Sequence, residues 1–242
     1  MVKACHLEGE TIGIETVNPR IAANSSSLPP GVAYIAPFGV FIALRWLPFP
    51  PEWLAPIRFV AVTATLAVFS RRVMPRRPSF PAGSILLGAA VLVLWIAPDL
   101  LWHGYRDSWL FHNAIMGVAR SSLPVHLKSN LLFITMRVLE SAVLVPMLEE
   151  LFWRGWLMRW AIRADFESVP MGKYTALSFW TVAVLFASEH GPYWEVGLLA
   201  GVAYNWWLVR TRNLADCILA HAITNALLAG YVLLFGQWQY WL

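Results

Sequence analysis

Two adjacent glutamates and an arginine stand inside an apolar, aromatic run, Pro-Met-Leu-Glu-Glu-Leu-Phe-Trp-Arg-Gly-Trp, from Pro146 to Trp156. An uncompensated charge in such a run costs at least ~2.5 kcal/mol at mid-bilayer depth. On a helix Glu150 and Arg154 lie four residues apart and face each other, whereas Glu149 is turned about 100° away. Arg154 therefore neutralises Glu150, a pairing whose plainer role is to fix packing. Glu149 is left free, and a carboxylate in a dry site gains the basicity that a general base for water needs.

Hydrolysis needs more than a base, and two later segments supply further groups. His190 closes an apolar span, with Phe186 one turn before it on the same face. His221 and Asn225 lie four apart, so both project from one face of the last span. A single His or Asn in a membrane helix is more often an interhelical hydrogen bond than a catalyst. Depth is what joins these. Counting from the polar turn near Ser168, Glu149 lies nineteen residues back and His190 twenty-two forward, which on antiparallel helices is a height difference of about 5 Å. His221 and Asn225 follow the basic turn at Arg212 by nine and thirteen residues, or roughly 14 and 20 Å of rise. The four side chains can thus meet in the middle or outer half of a membrane.

The elements that position them are apolar helices. Of 242 residues, 58% are hydrophobic and 13% charged, and mean hydropathy is +0.57, which describes an all-α, polytopic membrane protein. Fourteen tryptophans fit bilayer interfaces. The net charge of +4 comes from arginines in loops between apolar runs, a topology signal that argues against nucleic acid as a partner. Cys5 and Cys217 lie in different settings and indicate neither a disulfide framework nor a thiolate metal site.

Along the chain, 1–30 reads as a polar tail without a cleavable signal, and its Asn24-Ser25-Ser26 acceptor tripeptide reads as chance. Apolar runs follow at 31–47, where Pro37 is a potential kink, at about 56–70 and at 82–98. The four arginines of 71–77 mark a cytoplasmic loop. Residues 99–129 are the longest polar stretch, and His103, His112 and His126 there lack metal-ligand spacing. Residues 130–163 are one helix kinked at Pro146 or two pieces, with Arg137 and Glu140 spaced to pair. Spans at 174–190, 194–209 and 214–236 complete seven, or eight if the long run splits. With seven, the amino terminus is cytoplasmic and the carboxyl terminus lies across the membrane.

Glu149-Glu150-Leu151-Phe152-Trp153-Arg154-Gly155, Phe186 to His190, and His221 to Asn225 fit the ordered motifs E-E-x-x-x-R-G, F-x-x-x-H and H-x-x-x-N. In these the chain resembles the type II CAAX prenyl endopeptidases and their bacterial relatives, the CPBP intramembrane proteases. The compact, Trp-rich chain looks like the exosortase-associated bacterial branch. The resemblance covers the second half. It implies a protease domain over 31–242 with a motif-bearing core at 130–236, in a bacterial inner membrane. It also implies hydrolysis of a peptide bond near the carboxyl terminus of a membrane-associated or lipidated protein. Glu149 would be the base, assisted by His190, with His221 and Asn225 as oxyanion donors, each worth ~3 kcal/mol in a dry site. Glu150 and Arg154 would hold the helix in register. Glu189, beside His190, is a carboxylate the motif does not demand.

No cofactor is expected, because Asn serves an oxyanion better than zinc; a zinc held by Glu149, His190 and His221 stays open as an alternative. The implied partners are the lipid bilayer, a protein or lipopeptide substrate and exosortase-type sorting components. A proton-coupled transporter would show inverted repeats and polar motifs in both halves, and these are confined to the second. A non-catalytic binding or immunity protein would have lost a motif residue, and none is lost.

Overall fold

A computed structural model describes residues 28–121 and 123–241 of the chain. The expected polar tail therefore lies outside the described residues up to residue 27, as do Cys5 and the Asn24 tripeptide. Seven helices build the described bundle: α1 (Val32–Arg45), α2 (Pro51–Ser70), α3 (Pro81–Leu101), α4 (Leu131–Trp160), α5 (Ala176–Ser188), α6 (Trp194–Thr211) and α7 (Leu214–Phe235). Helices α2, α3, α4 and α7 are long and apolar enough to cross a membrane, and α1 and α5 are shorter apolar helices. The protein is an integral membrane protein. Its outer surface carries Leu86, Leu132 and Leu177, each more than two-thirds exposed, as a lipid-facing surface requires.

The long run is one continuous helix of thirty residues, about 45 Å at the usual rise and longer than the ~30 Å hydrocarbon core. Pro146 does not split it. Wider π-type turns at Glu140–Leu144 and Leu151–Leu157 flank the residues around Glu149 instead, and such turns re-aim side chains at functional sites. The span expected from about residue 56 begins earlier, at Pro51, because Pro51 is favoured in the first helical turn.

Polar caps fix where helices start. Asn130 accepts from the Phe133 amide, Thr175 from Ser178 and Asn213 from Ala215. Asp216 of α7 does the same across the bundle, accepting from the amides of Ser79 and Phe80 and from the Ser84 hydroxyl at the start of α3. Helices α3 and α7 then run in close contact: a Cβ on Gly88 would stand 2.4 Å from the Ala220 carbonyl oxygen. Asn213 also donates to the Arg77 carbonyl, so the arginine loop of 71–77 and the turn at 212–213 share one end of the bundle. The arginines from which the sequence predicts a cytoplasmic side are thus gathered at that end.

The opposite end is closed by Arg106, which pairs with Asp99 (2.8 Å) and Glu195 (2.9 Å) and stacks 4.0 Å over the Tyr193 ring. Tyr240 donates to Asp99 at 2.7 Å; burial first and then Asp99 hold its phenol above the ordinary range, so it stays a donor. The segment after α7 thus lies at this second end.

Candidate active site

Glu149, His190, His221 and Asn225 all line one cavity of about 400 Å³. They come from α4, the turn after α5, and α7. Glu149 is buried, and its Oε2 has no hydrogen-bond partner among the described residues. A buried carboxylate oxygen without a partner is costly, and the usual reason to keep one is a ligand or a reacting group. Glu189 shares the cavity.

Glu150, by contrast, is engaged through one oxygen, its Oε1, while its Oε2 has no hydrogen-bond partner among the described residues. It is 0% exposed, and its Oε1 accepts from Arg154 Nη1 at 3.1 Å and from His221 Nδ1 at 2.9 Å. Arg154, also 0% exposed, donates from Nε to Asn205 Oδ1 at 2.8 Å and from Nη2 to the Gly201 carbonyl at 3.3 Å, and lies 4.5 Å from the Phe186 ring. The pair therefore ties α4 to α6 and α7, a wider role than holding its own helix in register. Asn205 passes the link on, donating to the Phe179 carbonyl at 2.8 Å on α5.

These bonds set what the imidazoles can do. Because Nδ1 of His221 donates to a carboxylate, its Nε2 is an acceptor when the ring is neutral and a donor only as imidazolium. His190 donates from Nδ1 to the Phe186 carbonyl at 2.7 Å, which likewise leaves Nε2 to the cavity. The residue one turn earlier in F-x-x-x-H thus supplies both the acceptor and a ring 4.7 Å from the imidazole. Gly197 of α6 makes room for it, since a Cβ there would meet His190 Nδ1 at 3.0 Å. Asn225 donates to the Ser141 carbonyl at 2.8 Å, leaving one N–H and the amide oxygen for the cavity.

Tyr204 stacks on His221 at 5.1 Å and donates to Thr224 at 2.8 Å, which donates in turn to the Gly88 carbonyl. The expected Arg137–Glu140 spacing is used differently: Glu140 takes the guanidinium of Arg58, on the neighbouring helix α2, through both oxygens. Asn205 and Arg58 are the partners that sequence reasoning missed. An amide or a cation inside an apolar run was the available signal, since each must find a partner there.

The donors Glu149, His190 and His221, with a carboxylate behind one imidazole, are chemically suited to zinc. Among the described residues, however, no group of three His, Cys, Asp or Glu side chains comes close enough to hold a metal ion. The arrangement does not fit a three-ligand zinc.

Residues 130–227 match the family model described as type II CAAX prenyl endopeptidase Rce1-like. No curated protein matches the chain, and no solved structure does. The matched segment runs from the cap of α4 through the turn of α7 that carries His221 and Asn225.

Proposed function

Through residues 130–227 the chain belongs to the Rce1-like family of type II CAAX prenyl endopeptidases, which makes it a CAAX-type intramembrane peptidase, and from that premise we propose how its residues cut a peptide bond. The observation that carries the proposal is the cavity shared by the unpartnered carboxylate of Glu149, His190, His221 and Asn225.

Glu149 and the Nε2 of His190 hold a water between two acceptors, each taking one of its protons in a hydrogen bond. As the water oxygen attacks the scissile carbonyl, Glu149 takes the proton as general base. The protonated carboxyl, or His190 once charged, returns a proton to the leaving amine. Charge that develops on the carbonyl oxygen is met by the free N–H of Asn225 and by His221. His221 donates there from Nε2 when doubly protonated, since its Nδ1 hydrogen is taken by Glu150. Arg154 holds Glu150 in place, so Glu150 and Arg154 position and do not react. This scheme takes no cofactor, and no step runs through a metal.

The substrate in this reading is a membrane-associated or lipidated protein cut near its carboxyl terminus. The resemblance of the compact, Trp-rich chain supports a bacterial inner-membrane enzyme working beside exosortase-type sorting components. Mass spectrometry of membrane-protein termini, from cells with and without the gene, tests the proposal. New carboxyl termini that depend on Glu149 are the expected result; identical termini in both would contradict it.

A further inference from the structure

Donors for an oxyanion are scarce in the catalytic cavity. Nδ1 of His221 already donates to Glu150, so a neutral His221 offers only an acceptor there, and Asn225 has one N–H left. The hydroxyls do not make up the shortfall. Ser141, Tyr193, Tyr204, Thr224 and Tyr240 all line the cavity, and each donates its one proton elsewhere. Arg45 lines it as well, and no hydrogen bond or ion pair among the described residues engages its guanidinium.

Arg45 is the last residue of α1, and the register of α1 on α4 sets its height. A Cβ on Gly155 would stand 3.0 Å from the Tyr34 ring, and Phe38 stacks on Phe152 at 4.2 Å, so the two helices run antiparallel. Arg45, seven residues past Phe38, then comes level with Val145, one turn or about 6 Å beyond Glu149. Helical side chains lean towards the amino terminus of their own helix, so on antiparallel helices Arg45 and Glu149 lean towards each other. Both, with Val145 and His190, line a further cavity of about 550 Å³. Glu189 lines it too, and no ion pair joins Glu189 to Arg45 among the described residues. Arg137, by contrast, stands twelve residues before Glu149 on α4, roughly 18 Å along the helix, and leans further away.

Resting on the protease reading above, we propose that Arg45 is a catalytic residue of this chain, its guanidinium donating to the scissile carbonyl oxygen as that oxygen becomes negative. The water oxygen bonds to the carbonyl carbon, its proton goes to Glu149, and the carbonyl electron pair moves onto the oxygen. Arg45 keeps all its protons and supplies charge-assisted hydrogen bonds to that charge. A guanidinium stays charged at any working pH, so the oxyanion has a cationic donor whether His221 is neutral or charged. Arg45 lies outside residues 130–227, so it is an addition of this chain to the matched segment. The plainer role of an arginine in the last turn of a helix is to face the helix dipole, which would not require it to line the catalytic cavity.

The test measures steady-state cleavage, by the full chain in proteoliposomes, of the lipid-anchored peptide that the mapped termini identify. Arg45→Ala is expected to lower kcat by ~10²-fold, the usual effect of losing one oxyanion donor, with KM within about twofold and an unchanged melting temperature. Millimolar guanidinium ion is expected to raise kcat of Arg45→Ala by at least ~10-fold and to leave wild type unaffected, because it returns the missing donor. If Arg45→Ala does not fold, Arg45→Met, which keeps most of the side chain's length, carries the same comparison of kcat with KM. A wild-type kcat in either variant would overturn the inference and leave the protease reading standing. So would a raised KM at unchanged kcat, which would assign Arg45 to ground-state binding of substrate. A fall in kcat that guanidinium does not reverse in folded Arg45→Ala would assign the residue to packing at the end of α1 and overturn the inference as well. No cleavage of any peptide by wild type would bring down the protease reading, and this inference with it.

Discussion

Nδ1 of His221 and Nη1 of Arg154 donate to the same oxygen, Oε1 of Glu150, at 2.9 and 3.1 Å. One carboxylate thus couples an imidazole that lines the cavity shared with Glu149 to a guanidinium that faces helix α6. The cation and the carboxylate cancel, and the imidazole is aimed.

Removing only one member of this pair strands the other. Glu150→Leu or Arg154→Met is expected to destabilise the protein by ~3–5 kcal/mol, because a buried charge is left without its partner. The double variant Glu150→Leu, Arg154→Met is expected to recover much of that loss in thermal unfolding and to stay inactive, because His221 has lost its acceptor. Recovery of turnover in the double variant would refute the positioning role of Glu150.

Gly197 sets the place of His190. Gly197→Ala brings a methyl carbon to 3.0 Å from the ring nitrogen that is bonded to the Phe186 carbonyl. Turnover is expected to fall at least ~10-fold by displacement of the imidazole, with a melting temperature close to wild type. Unchanged kcat in Gly197→Ala would place His190 outside the reaction.

The turn that holds His190 is clamped from outside. Arg106 Nη1 donates to the Pro192 carbonyl at 2.6 Å while the same side chain pairs with Asp99 and Glu195. Arg106→Ala leaves two carboxylates facing each other and loosens the segment after His190, so kcat is expected to fall more than KM changes. Arg106→Lys is expected not to rescue, since an ammonium is a point charge and cannot reach all three acceptors. Kinetics on both variants, with protease sensitivity of the 103–120 segment, check this.

The motif helices and the order of the seven helices were legible because apolar runs, basic turns and i, i+4 spacing each have one dominant physical cause. Glu150 opposite Arg154 follows from helical spacing alone and is found at 3.1 Å. What the linear chain hides is partner choice across helices. Arg58 and Glu140 are 82 residues apart and meet only after α2 packs on α4. His221 on Glu150 and Asn225 on the Ser141 carbonyl arise in the same way. These bonds matter chemically, because they fix which imidazole nitrogen and which amide hydrogen remain for a substrate.

Metal dependence separates the two chemistries that the same residues suggest. Because no three ligands converge among the described residues, the purified enzyme is expected to keep its activity in chelator and to carry substoichiometric zinc by elemental analysis. Loss of activity in chelator, restored by one equivalent of zinc, would replace the glutamate-base scheme with a metal one.

The most direct test of the central claim is single-turnover cleavage in proteoliposomes by wild type and by Glu149→Gln, with folding checked by thermal unfolding. Glutamine preserves shape and removes the base, so the rate is expected to fall by at least ~10²-fold while the melting temperature holds. A Glu149→Gln protein that cuts the same peptide at the wild-type rate would contradict the account.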